Sequence, residues 1–215
     1  RLRGPFGVCA PCRLCPGGLR LLDAPGLHDD NAARDGVLRG VVAEARSVLV
    51  VSNIRRACND KGAKEMLPPQ LRAALLRAGH VGELAFVATQ TDLLTPSELI
   101  QNMRLPDGSS ATTCALARNA FTKASLSRDF YAEVQPAWLP CNKPPPTGWE
   151  GGAFELPVFT LSARDYQILS GMRPHDGAPR VFGRAAQTEV PALRAYLQLA
   201  AAAHHRRAQQ QQQQA

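Results

Sequence analysis

The chain has 215 residues, enough to bury one sizeable core. Its hydrophobic fraction of 45% is ordinary for a globular protein, and no run of about 18 apolar residues occurs, so a transmembrane span is not expected. The formal charge of +7 is scattered through Arg1, Arg3, Arg13, Arg20, Arg55, Arg56, Arg72 and Arg77, with Arg206 and Arg207 late; this reads as a solvated surface, with attraction to phosphate-rich ligands as the alternative, and no nucleic-acid-binding stripe is indicated.

Residues 1–6 read as a strand, followed by a Cys/Pro/Gly loop. Cys9, Cys12 and Cys15 in that loop form a tight cluster, but a metal would need a fourth ligand from afar. Free thiols in a reducing compartment are the expectation, and a metal-binding Cys cluster is the rival reading. Residues 19–23 read as a buried strand, and 35–46 as a helix with Val37, Val41 and Ala45 on one face. Residues 47–52 are a continuous apolar strand. Asp60 can cap a helix over 61–66; Pro68 and Pro69 interrupt it, 70–78 resume it, and Gly79 ends it. Residues 84–89 form the next strand. Helices follow over 96–103 and 110–133, the second with Leu116, Ala120, Ala124 and Phe130 or Tyr131 as its apolar face. Residues 135–152 are Pro/Gly-rich and read as exposed loop. A strand over 156–161 leads into a short helix ending near Leu169; 173–187 are irregular. Thr188 can cap a last helix to about Arg207, with Glu189 in its first turn, before a disordered glutamine tail at 208–215. Strands alternating with helices at this rhythm predict an α/β fold: a mostly parallel sheet with helices on both faces.

Three polar phrases follow three of the apolar runs: Asp23-Ala24-Pro25-Gly26, Thr89-Gln90-Thr91-Asp92 and Ser162-Ala163-Arg164. A strand leading into a polar loop, three times over, is how an α/β nucleotide-binding sheet presents its ligand site. In this order the phrases resemble the third, fourth and fifth motifs of a GTPase domain (DxxG, [TN]KxD and SA[KR]). No stretch reads G-x-x-x-x-G-K-[ST], so the phosphate-cradling loop is missing from this chain. The fold expected is P-loop-NTPase-like, without its first strand and phosphate loop.

The resemblance assigns roles. Asp23 would hold Mg²⁺ through water, an ion that dehydrates reluctantly. Gly26 has no side chain, so its N–H can approach a γ-phosphate. Thr89, Gln90, Asp92, Ser162, Ala163 and Arg164 would form the guanine-binding set. Asp92, an acceptor-only carboxylate, takes the two N–H donors on the guanine edge that adenine lacks. Ala163 would turn its backbone N–H to the guanine carbonyl oxygen.

The run from Leu21 to Arg34 (LLDAPGLHDDNAAR) resembles the DLPG-x-x-D-x-N-x-A-R signature of large dynamin-like GTPases. The run from Val50 to Ala57, with Asn59-Asp60-Lys61 and the early Gly4-Pro5-Phe6, is similar to the nuclear GTPase group named for germinal-centre B cells. The likeness spans about Arg3 to Tyr196 but covers only the second half of a G domain. Departures are Gln90 for the family lysine, whose stem lies along the base, and Ala24 for leucine. Leu27 follows the glycine, where small GTPases place a water-orienting glutamine; an apolar side chain orients no water. His28 and Asp29 are the nearby polar candidates, with an exposed loop histidine the plainer reading.

The resemblance therefore implies a partial G domain over 1–207, with a helical and Pro-rich insert at about 95–153. The intact parent would bind GTP and GDP with Mg²⁺ and hydrolyse GTP, and it would be capable of self-association. This chain alone is expected to be inactive as an enzyme. The alternative is a non-catalytic GTPase-like interaction module. The chain opens at Arg1 and its first methionine is Met66, which, with the missing phosphate loop, predicts a fragment, an incomplete gene or a processed product. Without an apolar leader it is expected inside the cell, in cytoplasm or nucleus.

Overall fold

An unbroken apolar run has no polar face to offer water, so the segment from Leu84 to Ala88 has to be covered on both sides. The structure, a computed structural model, describes residues 7–8, 22–23, 40–42, 44–45, 47–57, 84–138 and 156–213. The run forms strand β4 (Leu84–Thr89), the middle of a parallel three-stranded sheet between β3 (Val48–Asn53) and β5 (Val158–Thr160). Val48 lies beside Leu84 and Asn53 beside Thr89; Phe86, Val87 and Ala88 lie beside Val158, Phe159 and Thr160. The five apolar residues of β4 are at most 2% exposed.

Successive side chains of a strand point to opposite faces, so the register sorts the helices. Phe86 shares a face with Val158, and its ring meets Phe130 edge-on, with centroids 6.2 Å apart. Phe130 belongs to the long helix α3 (Ala111–Trp138). Phe159 points the other way, and its ring lies 5.3 Å from Tyr196 of the last helix, α5 (Val190–Gln213). The sheet thus carries helices on both faces, as the strand–helix alternation predicts. Shorter helices among the described residues include α1 (Ile54–Ala57), α2 (Pro96–Met103) and α4 (Ala163–Leu169). No helix among the described residues is long and apolar enough to cross a membrane.

A separate antiparallel ribbon pairs β1 (Gly7–Val8) with β2 (Leu22–Asp23). The sequence predicts a buried strand here. Instead Leu22 is half-buried and Asp23 exposed, because a two-stranded ribbon has little surface to bury. Residues 40–42 and 44 are helical, within the helix expected at 35–46. Gly26, the Cys9–Cys12–Cys15 cluster, the helices expected at 61–66 and 70–78 and the Pro-rich stretch at 143–146 lie outside the described residues.

Local chemistry sets the element ends. Pro96 opens α2, where its missing N–H costs nothing, and Arg104 closes it in the left-handed conformation (φ 53°). Ser110 precedes α3, and its Oγ accepts the Thr113 N–H at 3.1 Å, meeting one of the donors a helix start leaves open.

The face of α3 needs correction. Leu116, Ala120 and Ala124 are exposed. The buried stripe is Cys114, Ala115, Arg118, Asn119, Thr122, Leu126 and Phe130. Apolar periodicity picked the wrong side because this helix buries polar residues: Arg118 Nη2 donates to the Thr91 carbonyl at 2.7 Å and Nη1 to that of Leu93 at 2.9 Å.

The last helix also starts differently. Thr188 does not cap it; it sits in a short 3₁₀ turn (Ala185–Thr188), and its hydroxyl donates to the Ala185 carbonyl at 2.6 Å. Glu189 lies just before α5 at φ 54°. Its Oε2 accepts the Thr160 N–H at 2.7 Å, and its Oε1 pairs with Lys123 of α3. One carboxylate thus ties β5, α3 and the start of α5. Helical backbone runs past Arg207 as far as Gln213, into the tract expected to be disordered; glutamine is a fair helix former.

Replacing Glu189 with alanine removes both ties. The expected result is a loss of about 1.5–3 kcal/mol, the usual worth of hydrogen bonds to a charged group, read as a lower urea midpoint. A midpoint equal to wild type would show that the β5–α3–α5 junction holds without this side chain.

Candidate functional site

Parallel sheets gather their sites at the carboxyl ends of the strands. Here those ends carry Asn53, the 89–92 turn and the 161–162 segment. The turn after β4 is tightly held. Gln90 takes the left-handed conformation (φ 61°), and the Leu93 N–H closes back on the Gln90 carbonyl at 3.1 Å. Arg118 clamps the carbonyls of Thr91 and Leu93 from below. Two further bonds stitch the turn to β5: Thr91 N–H to Leu161 carbonyl at 3.1 Å, and Leu161 N–H to Ala88 carbonyl at 2.7 Å.

That stitching brings the second and third phrases together. Ser162 Oγ donates to Asp92 Oδ1 at 3.0 Å, across 70 positions of chain. The same oxygen accepts the Asp165 N–H at 3.1 Å, so one hydroxyl both caps α4 and holds Asp92. Asp92 Oδ2 accepts from Arg180 Nη1 at 3.2 Å. The Asp92 side chain is only 5% exposed, against 47% for Arg180.

Arg180 comes from the stretch predicted as irregular, and Asp165 fixes it there. The Asp165 carboxylate is fully buried. It accepts three backbone N–H groups: Arg180 at 2.8 Å, Val181 at 2.9 Å and Phe182 at 3.0 Å. Phe182 is fully buried as well, which anchors the segment.

Beside these residues opens a cleft of about 480 Å³. Its polar lining comes from Asn53, Arg55, Gln90, Asp92 and Arg180; Leu93, Leu94 and Pro96 supply apolar wall. The volume lies within the roughly 300–1,000 Å³ of small-molecule sites, and half of the residues that line it are polar or charged. Asn53 Nδ2 donates to Gln90 Oε1, and Asn53 Oδ1 accepts the Arg55 N–H at 2.9 Å.

Of the six residues predicted for base recognition, Gln90 and Asp92 line the cleft. Ser162 is buried behind Asp92 as its support. Thr89 ties the sheet together, its hydroxyl donating to the Ser52 carbonyl at 3.1 Å. Ala163 is the exposed first residue of α4. Arg164 reaches the Asp176 carbonyl at 3.0 Å. Asn53, Arg55, Asp165 and Arg180 are additions. Asn53 carries a sequence signal as the polar end of an apolar strand; Asp165 and Arg180 carry none, because their meeting depends on the path of an irregular loop.

No family model matches the chain, and no solved structure matches it. It is similar to the curated proteins named nuclear GTPase SLIP-GC from Mus musculus (25% identical) and Homo sapiens (24%), over 187 residues in each case. The similar stretch is 86% of this chain and 21% of each relative, so the chain spans about a fifth of their length. Over most of its own length, then, the chain is similar to one part of proteins named as nuclear GTPases.

Asp165→Asn tests the support of the site. Asparagine keeps the shape but turns an NH₂ toward backbone N–H groups, leaving donors buried without acceptors. The expected loss is about 2–3 kcal/mol, with faster tryptic cleavage after Arg180. A variant as stable and as protease-resistant as wild type would mean that the 180–182 segment is anchored by something else.

Proposed function

We propose that this chain is the base-reading part of a guanine-nucleotide-binding domain, similar to that of a large dynamin-like GTPase. The observation that carries the reading is the 3.0 Å bond from Ser162 to Asp92, which joins two GTPase-like phrases at the mouth of one parallel sheet. Supporting it are the adjoining cleft and the likeness to a nuclear GTPase.

In this reading the guanine edge enters the cleft against Leu93 and Leu94. Asp92 takes its two N–H donors, and Ser162 keeps the carboxylate oriented so that little freedom is lost on binding. Ala163 offers its N–H to the guanine carbonyl. Adenine has no matching donor pair, and burying the Asp92 charge against it would leave an acceptor unpaired. In the intact parent, GTP hydrolysis would rest on a phosphate loop supplied by another segment. The relatives' printed names extend the proposal to a nuclear location.

For Mg²⁺, Asp23 is the exposed carboxylate at the end of β2. Mg²⁺ is usually held by one or two carboxylates with waters and the phosphates of a nucleotide, so Asp23 would serve it through water together with a bound nucleotide.

The test compares GDP with ADP by titration calorimetry. Wild type should prefer GDP by at least tenfold, and Asp92→Asn should lose about 1–3 kcal/mol of GDP binding while leaving ADP unchanged. Equal affinities for the two nucleotides in wild type would reduce the 89–92 segment to an ordinary turn.

A further inference from the structure

We propose that Arg180 is a built-in stand-in for the base: its guanidinium occupies the edge of Asp92 that a guanine would use, so a nucleotide enters by displacing it. The proposal rests on the guanine reading of the cleft.

The geometry places the two oxygens of Asp92 in different hands. Oδ1 is held from behind by buried Ser162. Oδ2 is met by Arg180, a residue that lines the cleft. The contact on the open side of the carboxylate is thus made by an arginine. Its chemistry fits the place. The guanine edge, N1–H, C2 and N2–H₂, is itself a guanidine fragment, with parallel N–H donors suited to a carboxylate. Arg180 presents the same group from within the chain.

The attachment of Arg180 suits displacement. Its backbone is fixed by the fully buried Asp165, together with those of Val181 and Phe182. Its side chain is 47% exposed. The head can therefore leave Asp92 through side-chain rotation while the segment stays anchored. An ion pair with one partner this open is weak enough to be exchanged for a ligand, yet it keeps the Asp92 charge paired while the cleft is empty. A base lacking paired donors would have to break the contact and return nothing to Asp92.

The test titrates GDP and ADP into four forms of the full chain: wild type, Arg180→Ala, Arg180→Gln and the double variant Arg180→Ala/Asp92→Asn. Circular dichroism and thermal melting establish that each is folded. Removing the competitor should tighten GDP binding about 3- to 10-fold in both single variants, the scale of a half-exposed ion pair with some charge-assisted character. ADP should not gain, and the double variant should lose the increase. Because the pair is partly exposed, the gain should shrink as KCl is raised. If wild type binds GDP and both single variants bind it equally or more weakly, Arg180 is no competitor, while the guanine site stands. A gain shared equally by ADP would also overturn the proposal, since it would mean general opening of the cleft. If no form binds GDP, the stand-in and the guanine reading both fail.

Discussion

A carboxylate removed from water is tolerated only where donors surround it, and two such groups, Asp92 and Asp165, organise the mouth of this sheet. Asp92 is met by Ser162 and Arg180. Asp165 is met by three consecutive backbone N–H groups. The two are linked, because the Ser162 hydroxyl that donates to Asp92 also accepts the Asp165 N–H. Asp165 cannot lose its three backbone donors cheaply, so it fixes the loop that supplies them. The 89–92 turn, the start of α4 and the 180–182 segment are thereby held as one unit, though they lie far apart in the chain. This rigidity is what a recognition site needs, since an ordered cleft gives up little freedom when it is filled.

The sheet beneath delivers these groups to one edge. Its parallel register sets Asn53, Thr89 and the end of β5 side by side. Its two apolar faces are sealed by different helices, α3 through Phe130 and α5 through Tyr196. Arg118 connects that packing to the site. It spends its guanidinium on two carbonyls of the 91–93 turn, so the helix that covers the sheet also shapes the loop carrying Asp92. Glu189 performs the matching task at the β5 side, joining the Thr160 N–H to Lys123 of the same helix.

Much of this was legible in the sequence wherever a local rule decides the outcome. Strand 84–89 and helix 96–103 have the predicted bounds, because one is a continuous apolar run and the other opens on proline. The short helix after Ser162 follows from its capping serine and ends at Leu169 as expected. The failures occur where tertiary contact overrides a local preference. The outward turn of Leu116, Ala120 and Ala124 could not be read from apolar spacing, because the buried stripe gains its place through the polar contacts of Arg118. Thr188 looked like a cap for the last helix until the 3₁₀ turn claimed its hydroxyl. Asp92 was legible as a motif residue and Ser162 as part of another, but their bond depends on the sheet bringing the two together. Arg180 lay beyond any such pattern; nothing in Arg173 to Gln187 marks it until Asp165 is seen to bind its backbone.

Gln90 shows how a departure from a motif acquires its own local logic. A lysine would lay an apolar stem along a base and carry a positive charge near it. Glutamine has a shorter stem, but its amide oxygen accepts from Asn53 Nδ2, which lysine has no acceptor to do. The bond joins the ends of β3 and β4 across the mouth of the cleft, just after the register that pairs Asn53 with Thr89. Its backbone is left-handed, a conformation that glutamine and lysine both adopt only at a cost, so the two differ here through the side chain alone. Asn53 in turn accepts the Arg55 N–H, which ties the strap to the start of α1. Position 90 therefore trades apolar cover over the cleft for a fixed edge between two strands. In the proposed site this leaves the weight of base recognition on Asp92.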